Sequence, residues 1–569
     1  MNFSVQPYDV SLAVTRLSDK EYKLDFLWDK CEEFSFWWEF PCVDIEGIWR
    51  PCAFSKRGKA AKFTVQLADS SPMVAFINNS QNAVYVIAFS EEKKKISYHF
   101  EVVEETALMK AKATVTTKQF GNSKSFSVIV YIDNDIMPLY KACSRVKNWW
   151  ERVCDAKPCY NPEWTRQPVY STWYSFHQRI TAKELEQECV RAKEMGLDTI
   201  IVDDGWQTDD NSRGYAYCGD WEVCESKIPD MKEHVRNIHS LGIKYILWYS
   251  VPFVGMKSKK WNEFKDKTLY HEDFLSEGVL DPRYPDVREY IINTYVKALK
   301  DWDLDGFKLD FIQRFYIKDT NNITSEMDYE CVQEAADRLM TDIVSRLKEI
   351  KPDIMLEFRQ VYTGPSMRKC GNMFRVSDCP TDYVANRDGI AELRMMGNNT
   401  VHSDMLMWNP EETAENAALQ ILNCIFGVIQ YSMRLDKIPE DHKRMSKFWL
   451  DFAKKNEHIL LDGEFCACEP LQLFPVIRAA KDGDAIIGVY NINKVVDIGD
   501  FDTVTVINAT GKDELIIRSE KEYVADICVY NCFGDEVKRE QTEIKAGINQ
   551  FFAPKSGMIK IVKQVAKNC

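Results

Sequence analysis

A chain of 569 residues exceeds one ordinary domain and suits two or three. Its 45% hydrophobic and 28% charged residues exclude a disordered chain and supply a large core. A net charge of −14 gives no support to a nucleic-acid partner, and no apolar run approaches the ~20 residues that a membrane span requires.

The start, MNFSVQPYDVSLAV, has neither a basic n-region nor an apolar h-region, so a signal peptide is not expected. The 18 Cys are scattered and read as free thiols of a cytoplasmic protein. Cys466 and Cys468 form a lone C-x-C, a weak metal signal for which a structural role is the better reading. The 15 Trp fit a large core, and they also suit a sugar cleft.

Residues 1–165 read as a β-sandwich domain. Runs at 62–68, 83–89, 96–102 and 126–132 alternate apolar and polar residues with period two. Over 166–460 short apolar runs alternate with helical patterns, as in a parallel sheet of β-α units. Strands are expected at 169–176, 199–204, 245–251, 307–311, 354–358, 373–377, 400–405 and 428–433, and the clearest helices at 183–195, 231–241, 287–302, 326–348 and 414–425. Eight strands in nearly 300 residues fit a (β/α)₈ TIM barrel, an α/β fold. From 461 to 569 β-like runs return, at 484–490, 503–507, 514–517 and 558–562, and read as a small C-terminal β-domain.

Catalytic residues of such barrels sit at the C-terminal ends of strands. The second strand, TIIVDDGW, ends in Asp203 and Asp204; the fourth, GFKLDF, carries Lys308 and Asp310; the sixth, MFRVSD, carries Arg375 and ends in Asp378. One such Asp alone is more often a helix cap. Four carboxylates with two cations at one rim are hard to explain as caps. Two carboxylates serve glycoside hydrolysis, one attacking the anomeric carbon and the other protonating the leaving oxygen. Lys308 lies two residues before Asp310, so both face one side of a strand, where the cation is expected to keep Asp310 ionised. A structural ion pair is the plainer reading of the same spacing.

Asp clusters at barrel rims can also hold Mg²⁺. Only His402 falls near a strand end, and neither H-x-H nor E-x-x-H occurs. A metal-dependent enzyme therefore ranks below a glycosidase, and no cofactor or metal is expected.

At these residues the sequence resembles family 36 of the glycoside hydrolases, α-galactosidase-type enzymes of the clan that also holds family 27. DDGWQ at 203–207 and GDWEVCESKIPDMKEHVRNIHSLGIKYILW at 219–248 carry the resemblance, with FKLDF at 307–311 and FRVSD at 374–378. The resemblance covers roughly 169–410. It implies a retaining exo-acting α-glycosidase, with Asp310 as nucleophile and Asp378 as acid/base. It further implies that Asp203 and Asp204 hold the 4- and 6-hydroxyls of the −1 sugar. Trp248 and Trp173 would wall the pocket, Lys308 would hydrogen-bond the sugar, and Arg375 would orient the acid/base or contact the 2-position. Trp206 and Trp221 are further candidates that core packing explains about as well.

The chain departs from the family twice. EFRQVYTGPS at 357–366 stands where many members have a C-x-G-G segment reading the 2-hydroxyl, so Arg359 and Tyr362 are bulky there. LWYSVPF at 247–253 lacks the Glu of the family's L-W-x-E-P. α-Galactosidase is the first reading. An α-N-acetylgalactosaminidase or other α-glycosidase with an altered 2-position pocket, a raffinose-synthase-type transglycosylase and an inactive carbohydrate-binding protein are the others. The expected partner is an oligosaccharide or glycoside, with neither nucleic acid nor membrane, in a chain that can form a homo-oligomer.

Overall fold

The computed structural model describes residues 1–318, 321–359, 361–397 and 400–564. The chain opens with two antiparallel sheets of five and eight strands. Strand Leu108–Thr116 alternates buried and half-buried residues along its whole length, as a strand with one face on a core must. The two sheets meet through aromatics. Phe40 and Tyr85 stack with ring centres 3.8 Å apart, and Trp38 donates to Tyr85 Oη at 3.3 Å.

A helix, Leu139–Val153, then leads towards the barrel. The sequence reading gave only strands to this region. Leu139, Ala142, Cys143, Val146, Trp149 and Trp150 form its buried stripe at helical spacing, and Trp150 Nε1 donates to the Phe89 carbonyl at 2.9 Å.

Eight parallel strands follow: β1 (Val169–Ser171), β2 (Thr199–Val202), β3 (Lys244–Ser250), β4 (Gly306–Asp310), β5 (Met355–Arg359), β6 (Met373–Arg375), β7 (Thr400–His402) and β8 (Gln430–Tyr431). They pair in the order β7-β6-β5-β4-β3-β2-β1-β8. The ring closes where the Val428 N–H donates to Val401 O at 2.8 Å and the Ser403 N–H to Val428 O at 2.9 Å. The expected TIM barrel is therefore present, with β1 and β6–β8 shorter than their apolar runs. After Ser171 the chain turns into a one-turn helix, Trp173–Phe176, so Trp173 stands above the strand rather than on it.

A small apolar layer fills the lumen: Val169, Ile201, Ile246, Met355 and Met373. Side chains on a strand alternate faces, so the residues two further along point into the same lumen. Those residues are Ser171, Asp203, Trp248, Glu357 and Arg375. The barrel thus changes from apolar to charged within one pleat.

Helix Tyr383–Met396, between β6 and β7, lay outside the clear helical patterns of the sequence. It is buried from Asn386 to Leu393 without a break, and Asn386, Arg387, Asp388 and Glu392 lie in that buried run, so polar residues do not mark a solvent face. Beyond the barrel come a seven-stranded and a three-stranded sheet around a core that includes Ile487, Val506, Ile527 and Ile559. No helix among the described residues is long and apolar enough to cross a membrane.

Candidate active site

Asp310 ends β4 and is 8% exposed. Its Oδ1 accepts the Phe311 N–H at 2.8 Å and pairs with Arg359 Nε at 2.8 Å; its Oδ2 accepts Trp248 Nε1 at 3.2 Å. Phe311 holds a left-handed φ of +66°, a conformation a bulky residue adopts only where its surroundings impose it. That backbone turn aims the N–H back at the carboxylate. The Arg359 guanidinium also lies over the Phe311 ring, 5.0 Å from its centre.

Lys308 corrects the expectation drawn from its spacing. It faces the lumen, but Nζ binds Asp203 Oδ2 at 2.6 Å, and the cation on Asp310 is Arg359. The reason is cross-barrel geometry: β4 and β2 are separated by β3, and a long Lys spans that gap while Asp310 stands one pleat higher. Burial opposes the Lys308 charge, and Asp203 outweighs it and raises the amine.

Asp204 lies one residue past Asp203 and so faces elsewhere. Its Oδ2 accepts Gln178 Nε2 at 2.6 Å and its Oδ1 accepts Gln207 Nε2 at 2.7 Å. Burial pushes its carboxyl up to about 6, against the pull of those amides. Both oxygens are thus engaged by protein, as are those of Asp203, where one holds Lys308 and the other the Asp204 N–H at 2.9 Å.

At the other side of the rim, Arg375 is 1% exposed and ties three carboxylates together. Its Nη2 donates to Asp378 Oδ1 at 2.9 Å, its Nη1 to Asp404 Oδ1 at 2.5 Å, and its Nε lies 3.5 Å from Glu357 Oε1. The Asp378 side chain is 45% exposed, so it is the member of this group that a ligand reaches. Burial raises its carboxyl, but Arg375, then Lys308 and Arg359, outweigh that effect and hold it at about 2.

Sequence reasoning missed Asp404. It follows β7 by two residues and shares the face of His402, the signal already used at β2, β4 and β6. It is fully buried and accepts Tyr174 Oη at 3.0 Å and the Cys379 N–H at 2.7 Å beside Arg375. Burial raises its carboxyl, against Arg375. His402 is also fully buried, with Nε2 2.7 Å from Thr165 O; burial pushes it down to about 3, so it is a neutral strut.

The aromatic candidates divide. Trp248, 1% exposed, touches Asp310 directly. Trp173 is half-buried under the Arg213 guanidinium, 5.6 Å from the ring centre. Trp206 is a correction: it is fully buried and its Nε1 donates to Trp248 O at 2.9 Å, so it props the pocket aromatic from behind. Trp221 stacks on Trp206 at 6.1 Å and lines a groove on the outer flank of the barrel with Trp302 and Asp301. Both serve packing, with ring centres 5.2 and 4.8 Å from that of Tyr249 on β3. Tyr362, bulky at the variant segment, is fully buried; its Oη accepts the Ile312 N–H at 2.9 Å and donates to Gln313 at 2.7 Å. Of that segment, Gln360 lies outside the described residues, and Arg359 is the side chain that reaches Asp310.

A model of the Melibiase family matches residues 162–463, which takes in the whole barrel. An α-galactosidase of Lactobacillus acidophilus is 26% identical over 205 residues, 34% of this chain and 27% of that protein. A bifunctional α-galactosidase/sucrose kinase of Mediterraneibacter gnavus is 23% identical over 201 residues, 34% of this chain and 20% of that one. The matched stretch thus spans about a quarter of these relatives' length. Among solved structures, a family-36 α-galactosidase of Geobacillus stearothermophilus superposes with a TM-score of 0.65 at 15% identity, covering 98% of this chain and 81% of the other. A family-31 sulfoquinovosidase of E. rectale gives the same TM-score, 0.65, at 12% identity over 99% and 89% of the two chains, so this fold serves more than one sugar. Since the family match spans more than half of the sequence, and its β-α units carry the charged rim described above, the chain belongs to the Melibiase family, with the fold of its glycoside hydrolase family 36 relatives.

Proposed function

We propose that the protein is a retaining exo-α-galactosidase. The observation that carries this reading is the placement of Asp310: a buried strand-end carboxylate, oriented by Trp248 Nε1 and the Phe311 N–H, with the exposed Asp378 held on Arg375 at the same rim. Asp310 attacks the anomeric carbon as Asp378 protonates the departing oxygen. Asp378 then takes a proton from water, which attacks the glycosyl-enzyme. Relatives named α-galactosidases, and a Geobacillus stearothermophilus family-36 structure in complex with raffinose, support an α-galactoside as substrate.

The acid role sets a condition. Three cations keep Asp378 ionised. Substrate must therefore weaken their hold, and Arg375 has two other carboxylates, Asp404 and Glu357, to take up its charge. Asp203 and Lys308 hold ring hydroxyls in this reading, and Asp204 supports them through Gln178 and Gln207. Arg359, anchored on Asp310, donates to a 2-hydroxyl and crowds a 2-acetamido group, which favours a galactoside over an N-acetylgalactosaminide. The test is hydrolysis of an aryl α-galactoside. Wild type should turn it over, and Asp310→Ala should lose roughly a thousandfold or more in kcat. Unchanged turnover by Asp310→Ala would refute the assignment.

A further inference from the structure

A cavity of about 190 Å³ lies beside Asp378, between a hairpin tip of the N-terminal sheets and helix Tyr383–Met396. The hairpin strands Gly47–Arg50 and Ala53–Arg57 bring Cys52, Ala53 and Phe54 to it. Cys52 holds a left-handed φ of +63°, and its N–H donates to Glu392 Oε2 at 3.1 Å, which fixes the hairpin tip on the helix.

The lining is chemically one-sided. It includes three carboxylates, of Asp378, Asp388 and Glu392, and no Lys, Arg or His among the described residues. Asp388 is 4% exposed, and among the described residues its Oδ1 has no hydrogen-bond partner. A buried carboxylate oxygen without a donor is costly, and folds retain such groups where a ligand completes them. The neighbouring Arg387 does not complete it: that guanidinium donates to Asn423 and to the Leu473 carbonyl, on the side of the C-terminal sheets. Burial pushes the Asp388 carboxyl up to about 7, against the pull of Arg387. Ala53, Phe54, Val361 and Val376 give the cavity its apolar side.

We propose that this cavity is the leaving-group subsite, and that it selects a leaving group carrying a primary ammonium, such as an amino sugar. The proposal rests on Asp378 being the acid/base, because the group that Asp378 protonates departs into the space beside it. An ammonium supplies both the donors that Asp388 Oδ1 lacks and a positive charge beside Asp388, whereas the charge of Asp378 is already met by Arg375. A neutral hydroxyl supplies only the former.

The test is calorimetric titration of the full chain with D-glucosamine and with D-glucose near neutral pH. Glucosamine should bind about tenfold more tightly to wild type, and Asp388→Asn should abolish that preference. Ala385→Leu fills the cavity and leaves the three carboxylates in place, so it should abolish the preference too. Equal affinities in wild type, no measurable glucosamine binding, or a preference that survives either substitution would overturn the proposal. Binding is read without turnover, so its outcome is separable from the aryl α-galactoside assay that tests the proposed function.

Discussion

Asp310 Oδ1 and Arg359 Nε stand 2.8 Å apart, although the two residues end different strands. This pair places a guanidinium against the carboxylate proposed as nucleophile. Removing it should act on both chemistry and selectivity. Arg359→Ala is expected to cut kcat/KM for an aryl α-galactoside by about 10²-fold, as loss of one charged contact in a closed site does. The same variant should narrow the ratio of galactoside to N-acetylgalactosaminide turnover. A ratio that does not move would remove Arg359 from the 2-position.

The pH dependence follows from Asp378. Arg375, Lys308 and Arg359 together hold its carboxyl at about 2 in the free enzyme. An acid that low is mostly ionised, so kcat/KM for a poor leaving group should fall as pH rises through the acidic range. Arg359→Gln removes one of the three cations. It should move that falling limb to higher pH by roughly one unit. An aryl substrate with a good leaving group needs less protonation and should show a flatter limb.

Lys308 and Asp203 form a buried pair at 2.6 Å, with side chains 7% and 4% exposed. Lys308→Met leaves Asp203 buried and unpaired, at a cost of about 3–5 kcal/mol. The double change Lys308→Met with Asp203→Asn should restore much of the lost thermal stability and none of the activity. Recovery of activity would show that the pair serves structure alone.

Asp404 is fully buried and acts by holding Arg375, Tyr174 and the Cys379 N–H. Asp404→Asn frees Arg375 to bear wholly on Asp378 and Glu357. The expected result is a lower kcat with KM nearly unchanged, and a falling limb displaced to lower pH. A purely structural role would lower the melting temperature and leave the pH profile in place.

At the opposite end of the barrel Asp305 accepts from His239 Nε2 at 2.7 Å, the Tyr245 N–H at 2.9 Å and Lys244 Nζ at 3.0 Å. Burial opposes its charge, but these partners and Lys351 hold it well below the ordinary carboxylate range. A carboxyl depressed by folding stabilises fully above its unfolded value of about 3.9 and loses that contribution as pH falls towards the folded value. Asp305→Asn should therefore cost about 3–5 kcal/mol at neutral pH. The gap to wild type should shrink as the pH is lowered below about 4. Thermal melts across pH measure both.

The barrel was legible because its strands are apolar runs that end in charge, and the step from Ile201 to Asp203, or from Met373 to Arg375, is visible as a two-residue period. Which cation meets which carboxylate was not. Lys308 and Asp310 share a face, yet strand stagger hands Lys308 to Asp203 and brings Arg359 to Asp310 from β5. Asp404 was hidden because the run 400–405 reads as strand and puts Asp404 inside it, whereas β7 stops at His402 and leaves Asp404 at the rim. Trp206 was a candidate, with core packing an equal reading, because D-D-G-W places it beside the carboxylates; the turn at Gly205, with φ of +115°, sends it behind Trp248. A helix that buries its polar residues with its apolar ones, such as Tyr383–Met396, leaves no clear periodic trace in a sequence.

The central claim is that Asp310 forms the covalent bond to the sugar. Asp310→Gly, assayed with an activated aryl α-galactoside and sodium azide, tests it most directly. Azide should enter the space left by the carboxylate, restore turnover and give the β-galactosyl azide. The α-galactosyl azide would instead mean that the glycosyl-enzyme still forms without Asp310, which would contradict the account.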